Sequence, residues 1–176
     1  IGPRYIFFPH WSWIIPREIY ENFECIVFHM TDLPFGRGGS PLQNLIIRGK
    51  YNTKISAIRV VKDLDAGPVY FKRKFSVKTG SAEELFIRAS KLVFSMIREL
   101  VVSPREPKPQ KGKIVVFRRR RPDESVMPSN ISPRNLYDFI RMLDATGYPP
   151  AFLEYGRYSI EFSRAGLKND LVSARV

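Results

Sequence analysis

Apolar positions along this chain fall into short runs at first and into one long helical stripe farther on. Tyr5-Ile6-Phe7-Phe8 and Cys25-Ile26-Val27-Phe28 are unbroken apolar runs of strand length, the pattern of buried strands; the second ends on His29. Between them Pro16 suits the first turn of a helix running through Arg17 to Phe23. Thr31 to Ser40, with Pro34, Gly36, Gly38 and Gly39, reads as a loop. Pro41 opens a short helix with Leu42, Leu45 and Ile46 on one face, stopped near Gly49. Lys54 to Val60 alternates and predicts a strand, Asp63 to Pro68 a turn, and Val69 to Val77 a further strand.

The clearest element is a helix from Ala82 to Leu100. Ser81 and Glu84 have capping-box spacing. Leu85, Phe86, Ala89, Leu92, Val93, Met96, Ile97 and Leu100 recur at helical period and form a stripe that packs on a sheet. Pro104, Pro107 and Pro109 among charges mark a linker over 104–113. Beyond it, Ile114 to Phe117 is a short strand. Ser132-Pro133 starts a helix containing Leu136, Phe139, Ile140 and Leu143, ended by Gly147 and Pro149-Pro150. Ala151–Tyr155 and Tyr158–Ser163 form a hairpin turning near Gly156. Strands alternating with helices in the first hundred residues argue an α/β open sheet. The expected organisation is therefore an α/β domain over 1–103, a linker over 104–113 and a small α+β domain over 114–176.

Composition adds limits. A chain of 176 residues, 44% hydrophobic, can bury a sizeable core. No apolar run approaches the ~20 residues of a membrane span, so no membrane association is expected. No secretory cleavage pattern is visible at the N-terminus. The single cysteine, Cys25, lies in an apolar run and reads as a buried, inert thiol, which fits a cytoplasmic protein. No metal site is expected. The chain opens on Ile1 and enters a strand almost at once, which suggests a natural start farther upstream. The net charge of +12 invites nucleic acid, but it is spread evenly. Lys and Arg outnumber Asp and Glu 15 to 9 over residues 1–104 and 14 to 8 over residues 105–176. Only Arg118-Arg119-Arg120-Arg121 forms a block, readable as a phosphate site or as a solvated face.

In an open α/β sheet, ligands sit beyond the carboxyl ends of the strands. His29 closes the second strand, and Asp65 lies in the turn after the third. A histidine held by a carboxylate can hydrogen-bond a developing oxyanion and move a proton. The Gly/Pro-rich stretch after His29 lets backbone approach a substrate closely. Trp13 reads as a core aromatic; Trp11, following His10, reads as either a core or a ligand residue.

His29-Met30-Thr31-Asp32-Leu33-Pro34-Phe35-Gly36-Arg37-Gly38-Gly39-Ser40-Pro41 resembles the signature loop of the folate-dependent formyltransferase family, in which a His precedes Ser-Leu-Leu-Pro, then Arg-Gly, then Pro. Leu64-Asp65-Ala66-Gly67 resembles the family's Leu-Asp-Thr-Gly turn. The two motifs stand in register, and the resemblance covers residues 5–100. It implies a Rossmann-like formyltransferase open sheet lacking its N-terminal strands, and N10-formyltetrahydrofolate as co-substrate. It further implies that His29 stabilises the tetrahedral oxyanion while Asp65 orients His29 and helps take the amine proton. The folate would be bound by His10, Trp11, Ile14, Val61, Asp63 and Leu64, and the acceptor by Arg37 and Gly38. The family carries Asn two residues before the His; Val27 stands there in this chain and brings no donor.

The tail bears on the acceptor amine. Arg121-Pro122-Asp123, Ile140-Arg141-Met142-Leu143 and Tyr148-Pro149-Pro150-Ala151-Phe152 resemble segments of the nucleotide-sugar N-formyltransferases and, more weakly, of the tRNA enzymes. The expected acceptor is therefore the amine of a nucleotide-linked sugar. The alternatives are an aminoacyl-tRNA, formylated as by methionyl-tRNA formyltransferase, and a folate-binding module impaired by Val27.

Overall fold

The computed structural model describes residues 2–176; Ile1, the first residue of the expected α/β domain, lies outside them. Its main sheet has four strands in the order β1 (Ile6–Phe8), β2 (Cys25–His29), β4 (Asn52–Arg59) and β5 (Val69–Ser76). Only β1 and β2 are parallel; β2 with β4 and β4 with β5 are antiparallel. Helix α1 (Arg17–Tyr20) is shorter than expected, and Pro16 occupies its N-cap position and not its first turn. The expected loop after His29 contains a short strand, β3 (Phe35–Gly38), which pairs in parallel with β6 (Val115–Phe117). The Gly-rich composition hid it, because glycine is depleted in strands and here admits a register shift between Phe35 and Arg37.

Helix α2 (Pro41–Ile47) buries Leu42, Leu45 and Ile46 as its pattern requires. Helix α3 (Ala82–Val102) begins with the Ser81–Glu84 capping box. Its buried residues Leu85, Ala89, Val93, Met96 and Leu100 share a core with Ile26 and Phe28 of β2 and Ile55 and Ala57 of β4. Buried Cys25 has its thiol pushed up by desolvation, which disfavours the reactive thiolate.

Helix α4 (Pro133–Arg141) is capped by Ser132, whose hydroxyl accepts from the Asn135 amide. It packs on the sheet of β7 (Ala151–Tyr155), β8 (Tyr158–Lys168) and β9 (Leu171–Arg175). Phe139, Ile140, Met142, Leu143 and Ala151 belong to the same core as the main sheet. Arg141, fully buried, pairs with Asp138 at 2.6 Å and donates to the carbonyls of Val77 and Gly80. Tyr51 donates to Asp138 from the main-sheet side. No helix among the described residues is long and apolar enough to cross a membrane.

Candidate active site

The path that brings Asp65 to His29 differs from the one strand order suggests. Because β4 runs antiparallel to β2, its carboxyl end lies beside Ile26, not beside His29. Segment 60–68 folds back along β2: the Val60 amide donates to Cys25 O near its start, and Asp65 reaches His29 at its far end. The return needs Gly67, where a Cβ would fall 1.7 Å from the Arg59 carbonyl oxygen. Asp65 sits at φ +53°, a left-handed conformation that Asp tolerates better than most residues.

His29 and Asp65 are both nearly buried. His29 Nδ1 lies 3.5 Å from Asp65 Oδ1. The opposite ring nitrogen, Nε2, donates to the Gly36 carbonyl at 2.7 Å. A carbonyl oxygen only accepts, so Nε2 carries a proton. That leaves Nδ1 facing the carboxylate, as a base when neutral and as a donor when protonated. The second carboxylate oxygen accepts from the Gly38 amide at 2.8 Å. Gly38 has φ +99°, and a Cβ there would lie 2.3 Å from Phe117 O, so this close approach is reserved for glycine. Strand β3 thus supplies a carbonyl to the histidine and an amide to the aspartate.

The pair stands where two clefts meet. The smaller, of about 290 Å³, is lined by Phe8, Trp11, Trp13, Ile14, Val27 and Leu64 together with Arg17, Lys62 and Asp63, and His29 and Asp65 form part of its wall. Its lining is mostly apolar with a few polar groups, the character of a small-molecule site. The larger, of about 840 Å³, is more open and reaches Gly38, Gly39, Ser40, Arg119, Phe86 and Tyr148.

Of the residues assigned to folate, Trp11, Ile14, Val61, Asp63 and Leu64 all line the smaller cleft. His10 does not; it lines the larger one, 2.9 Å from Ser90 Oγ and edge-on to Phe86. Burial pushes its imidazole below the ordinary histidine range, against the opposing hydrogen bond with the Phe86 backbone. Gly38 lines the larger cleft, yet its amide is spent on Asp65. Arg37 lines neither. Alternation along β3 turns it away from the site, and its guanidinium donates twice to Gln110 Oε1, at 3.1 and 2.8 Å.

Trp13 corrects the sequence expectation most plainly: it is not core but 77% exposed, lining both clefts. Its spacing of two from Trp11 was the available signal. Within the arginine block, Arg118 pairs with Glu124 and Arg121 with Asp123, while Arg120 lies near the Phe139 ring and donates to the Glu124 carbonyl. Arg119 alone of the four faces the larger cleft. Gln110, inside the expected linker, had no sequence signal.

Residues 122–176 match the family model for the methionyl-tRNA formyltransferase C-terminal domain. Methionyl-tRNA formyltransferase from Thermodesulfovibrio yellowstonii is 26% identical over 148 residues, which are 80% of this chain and 48% of that protein. The chain thus spans about half the length of this relative. A sugar N-formyltransferase structure from Shewanella sp. shares the fold, with TM-score 0.70 and 17% identity over 92% of this chain and 69% of the other. The solved methionyl-tRNA formyltransferase from Clostridium thermocellum is 56% identical and superposes with TM-score 0.95, covering 98% of this chain and 76% of that one. With that degree of identity sustained across almost its whole length, the chain belongs to the formyltransferase family, alongside the methionyl-tRNA formyltransferases.

Proposed function

We propose that the protein transfers a formyl group from N10-formyltetrahydrofolate to the amino group of methionyl-tRNA. The observation that carries the reaction class is the His29–Asp65 pair at the junction of a smaller, mostly apolar cleft and a larger one. In this reading the smaller cleft takes the folate ring system between Trp11, Trp13, Ile14 and the Val61–Leu64 segment. The acceptor amine enters from the larger cleft. It attacks the formyl carbon, and the carbonyl oxygen becomes an oxyanion beside His29 Nδ1. A protonated Nδ1 donates to that oxyanion. Asp65 holds the ring through its charge and takes the amine proton, directly or through water. Collapse of the intermediate re-forms the carbonyl and breaks its bond to the folate nitrogen, which leaves with the proton that Asp65 took, giving a formamide.

The sequence favoured a nucleotide-sugar acceptor. The tail segments that suggested it occur in both branches of the family, whereas the 56% identity lies with a methionyl-tRNA enzyme. The openness of the larger cleft and the Arg119 guanidinium on its wall support a large polyanionic acceptor as well. Incubation of the full-length protein with labelled formyl-folate and either methionyl-tRNA or a nucleotide amino sugar separates the readings. Label in the aminoacyl-tRNA alone is expected. Label in the sugar alone would reverse the assignment, and folate binding without transfer to either would indicate the impaired module.

A further inference from the structure

One side chain outside both clefts joins the two supports of the His29–Asp65 pair. Gln110 belongs to the proline-rich stretch read from sequence as a linker. Lys108 exchanges both backbone hydrogen bonds with Val69, at 2.7 and 2.8 Å, so this stretch is pinned beside the start of β5. Gln110 is thereby set against the loop that carries Asp65. Its Nε2 donates to the carbonyls of Asp65 and Gly67, each at 2.8 Å. Its Oε1 accepts both hydrogen bonds from Arg37. Carbonyls only accept and guanidinium only donates, so this network admits one orientation of the amide, with its two donors and both acceptor positions engaged.

Each contact falls on a carrier of the pair. Arg37 sits on β3 between Gly36, whose carbonyl holds His29 Nε2, and Gly38, whose amide holds Asp65 Oδ2. Asp65 itself stands in a left-handed conformation, and Gly67 makes the tight return past Arg59. A loop forced into such a path needs its carbonyls satisfied, and one amide satisfies two of them.

We propose that Gln110 is a positioning residue for formyl transfer, fixing the Asp65 loop to strand β3 so that His29 and Asp65 meet in register. It touches neither cleft and acts through Asp65, Gly67 and Arg37. The inference rests on the proposed transferase activity. Loss of about 1 Å in registration costs on the order of 10²-fold in rate, while the walls that hold folate stay in place.

The test uses the full-length protein with Gln110→Ala, Gln110→Glu and Arg37→Lys. Gln110→Glu keeps an acceptor for Arg37 and loses both donors to the loop. Both Gln110 variants are expected to lower kcat by about 10- to 100-fold, with the KM for formyl-folate within about two-fold of wild type. Arg37→Lys, which retains one donor, is expected to be milder. The His29 Nε2–H proton resonance, protected from solvent exchange by its bond to Gly36, should broaden or exchange faster in both Gln110 variants. If Gln110 only anchors the linker through Arg37, Gln110→Glu keeps wild-type kcat and resonance, which overturns the proposal. Folded Gln110→Ala with unchanged kcat and resonance overturns it too. Should Gln110→Ala fail to fold, the Glu and Lys variants carry the same comparison. Absence of transfer in the wild type would sink the functional reading instead; the His29 resonance would still judge Gln110.

Discussion

At position 27 the side chain decides whether the site holds a second donor. Val27 and His29 are two apart on β2, share a face and both line the smaller cleft. Val27 is only partly buried, and it stands outside the main core, which takes Ile26 and Phe28. Val27→Asn therefore puts an amide into the cleft and not into hydrocarbon. The expected loss of stability is about 1 kcal/mol or less, against the roughly 1–3 kcal/mol of a stranded buried amide. Urea unfolding measures it. The added donor is expected to raise kcat on the natural acceptor, because oxyanion donors are worth up to 10²–10³ in rate. An unchanged kcat in an active enzyme would mean that another donor already serves, with His10 on the wall of the larger cleft the next target. Thr31 is the weaker candidate, because it is buried and its hydroxyl proton goes to the Gly36 carbonyl that holds His29.

Loops supply most of what the site needs, and loops were the least legible part of the sequence. Strands β1, β2, β4 and β5 and helices α2, α3 and α4 follow from period and capping: Ile26, Ile55 and the 85–100 stripe face inward as their spacing requires. His29 and Asp65 were legible as residue types at element ends. The antiparallel course of β4 was not, since alternation along a strand carries no information on the direction of its neighbour. Nor were the Gly36 carbonyl and the Gly38 amide, which are backbone groups. Trp13 was misassigned because aromatic residues are usually buried, whereas here the irregular 9–16 segment holds it over a cleft.

That segment yields a direct prediction. Both tryptophans of the chain line the smaller cleft, so a tetrahydrofolate analogue should quench most of the intrinsic emission in step with calorimetric binding. Binding without any change in emission would put the folate elsewhere.

The signature loop is also tied by charge. Asp32 accepts from Lys72 of β5 at 2.6 Å and from Lys54 of β4 at 2.9 Å. Partial burial works to raise its carboxyl, but the two lysines outweigh it and hold the group below its ordinary 3.8. A depressed folded value stabilises the protein above about pH 4, and that stabilisation is lost as pH falls through the folded value. Asp32→Asn should flatten the acid limb of a plot of Tm against pH. The effect is modest, because the carboxylate is 40% exposed and solvent screens it. An acid limb identical to wild type would exclude this ion pair as a contributor.

Across the whole molecule, we propose that the boundary at 104–113 is one of chain topology and not of energetics. Core residues from α4 and β7 join those of the main sheet, and Arg141 binds carbonyls on the far side of the boundary. Equilibrium unfolding is then expected as one transition on all probes. Arg141→Ala should destabilise by less than the roughly 3–5 kcal/mol of a fully stranded buried charge, because Arg134 and Tyr51 still hold Asp138 while the Val77 and Gly80 carbonyls lose their donor. Two separate transitions in the wild type would establish independent units.

In the proposed reaction one coupled pair, His29 and Asp65, performs formyl transfer on methionyl-tRNA. The most direct measurement is a single-turnover assay of the full-length protein, with His29→Ala, Asp65→Ala and the double variant compared under saturating formyl-folate. Each single change is expected nearly to abolish transfer, and the double variant to lose little more than either, since groups acting as a unit are non-additive. Wild-type turnover in either single variant, with the fold intact, would contradict it.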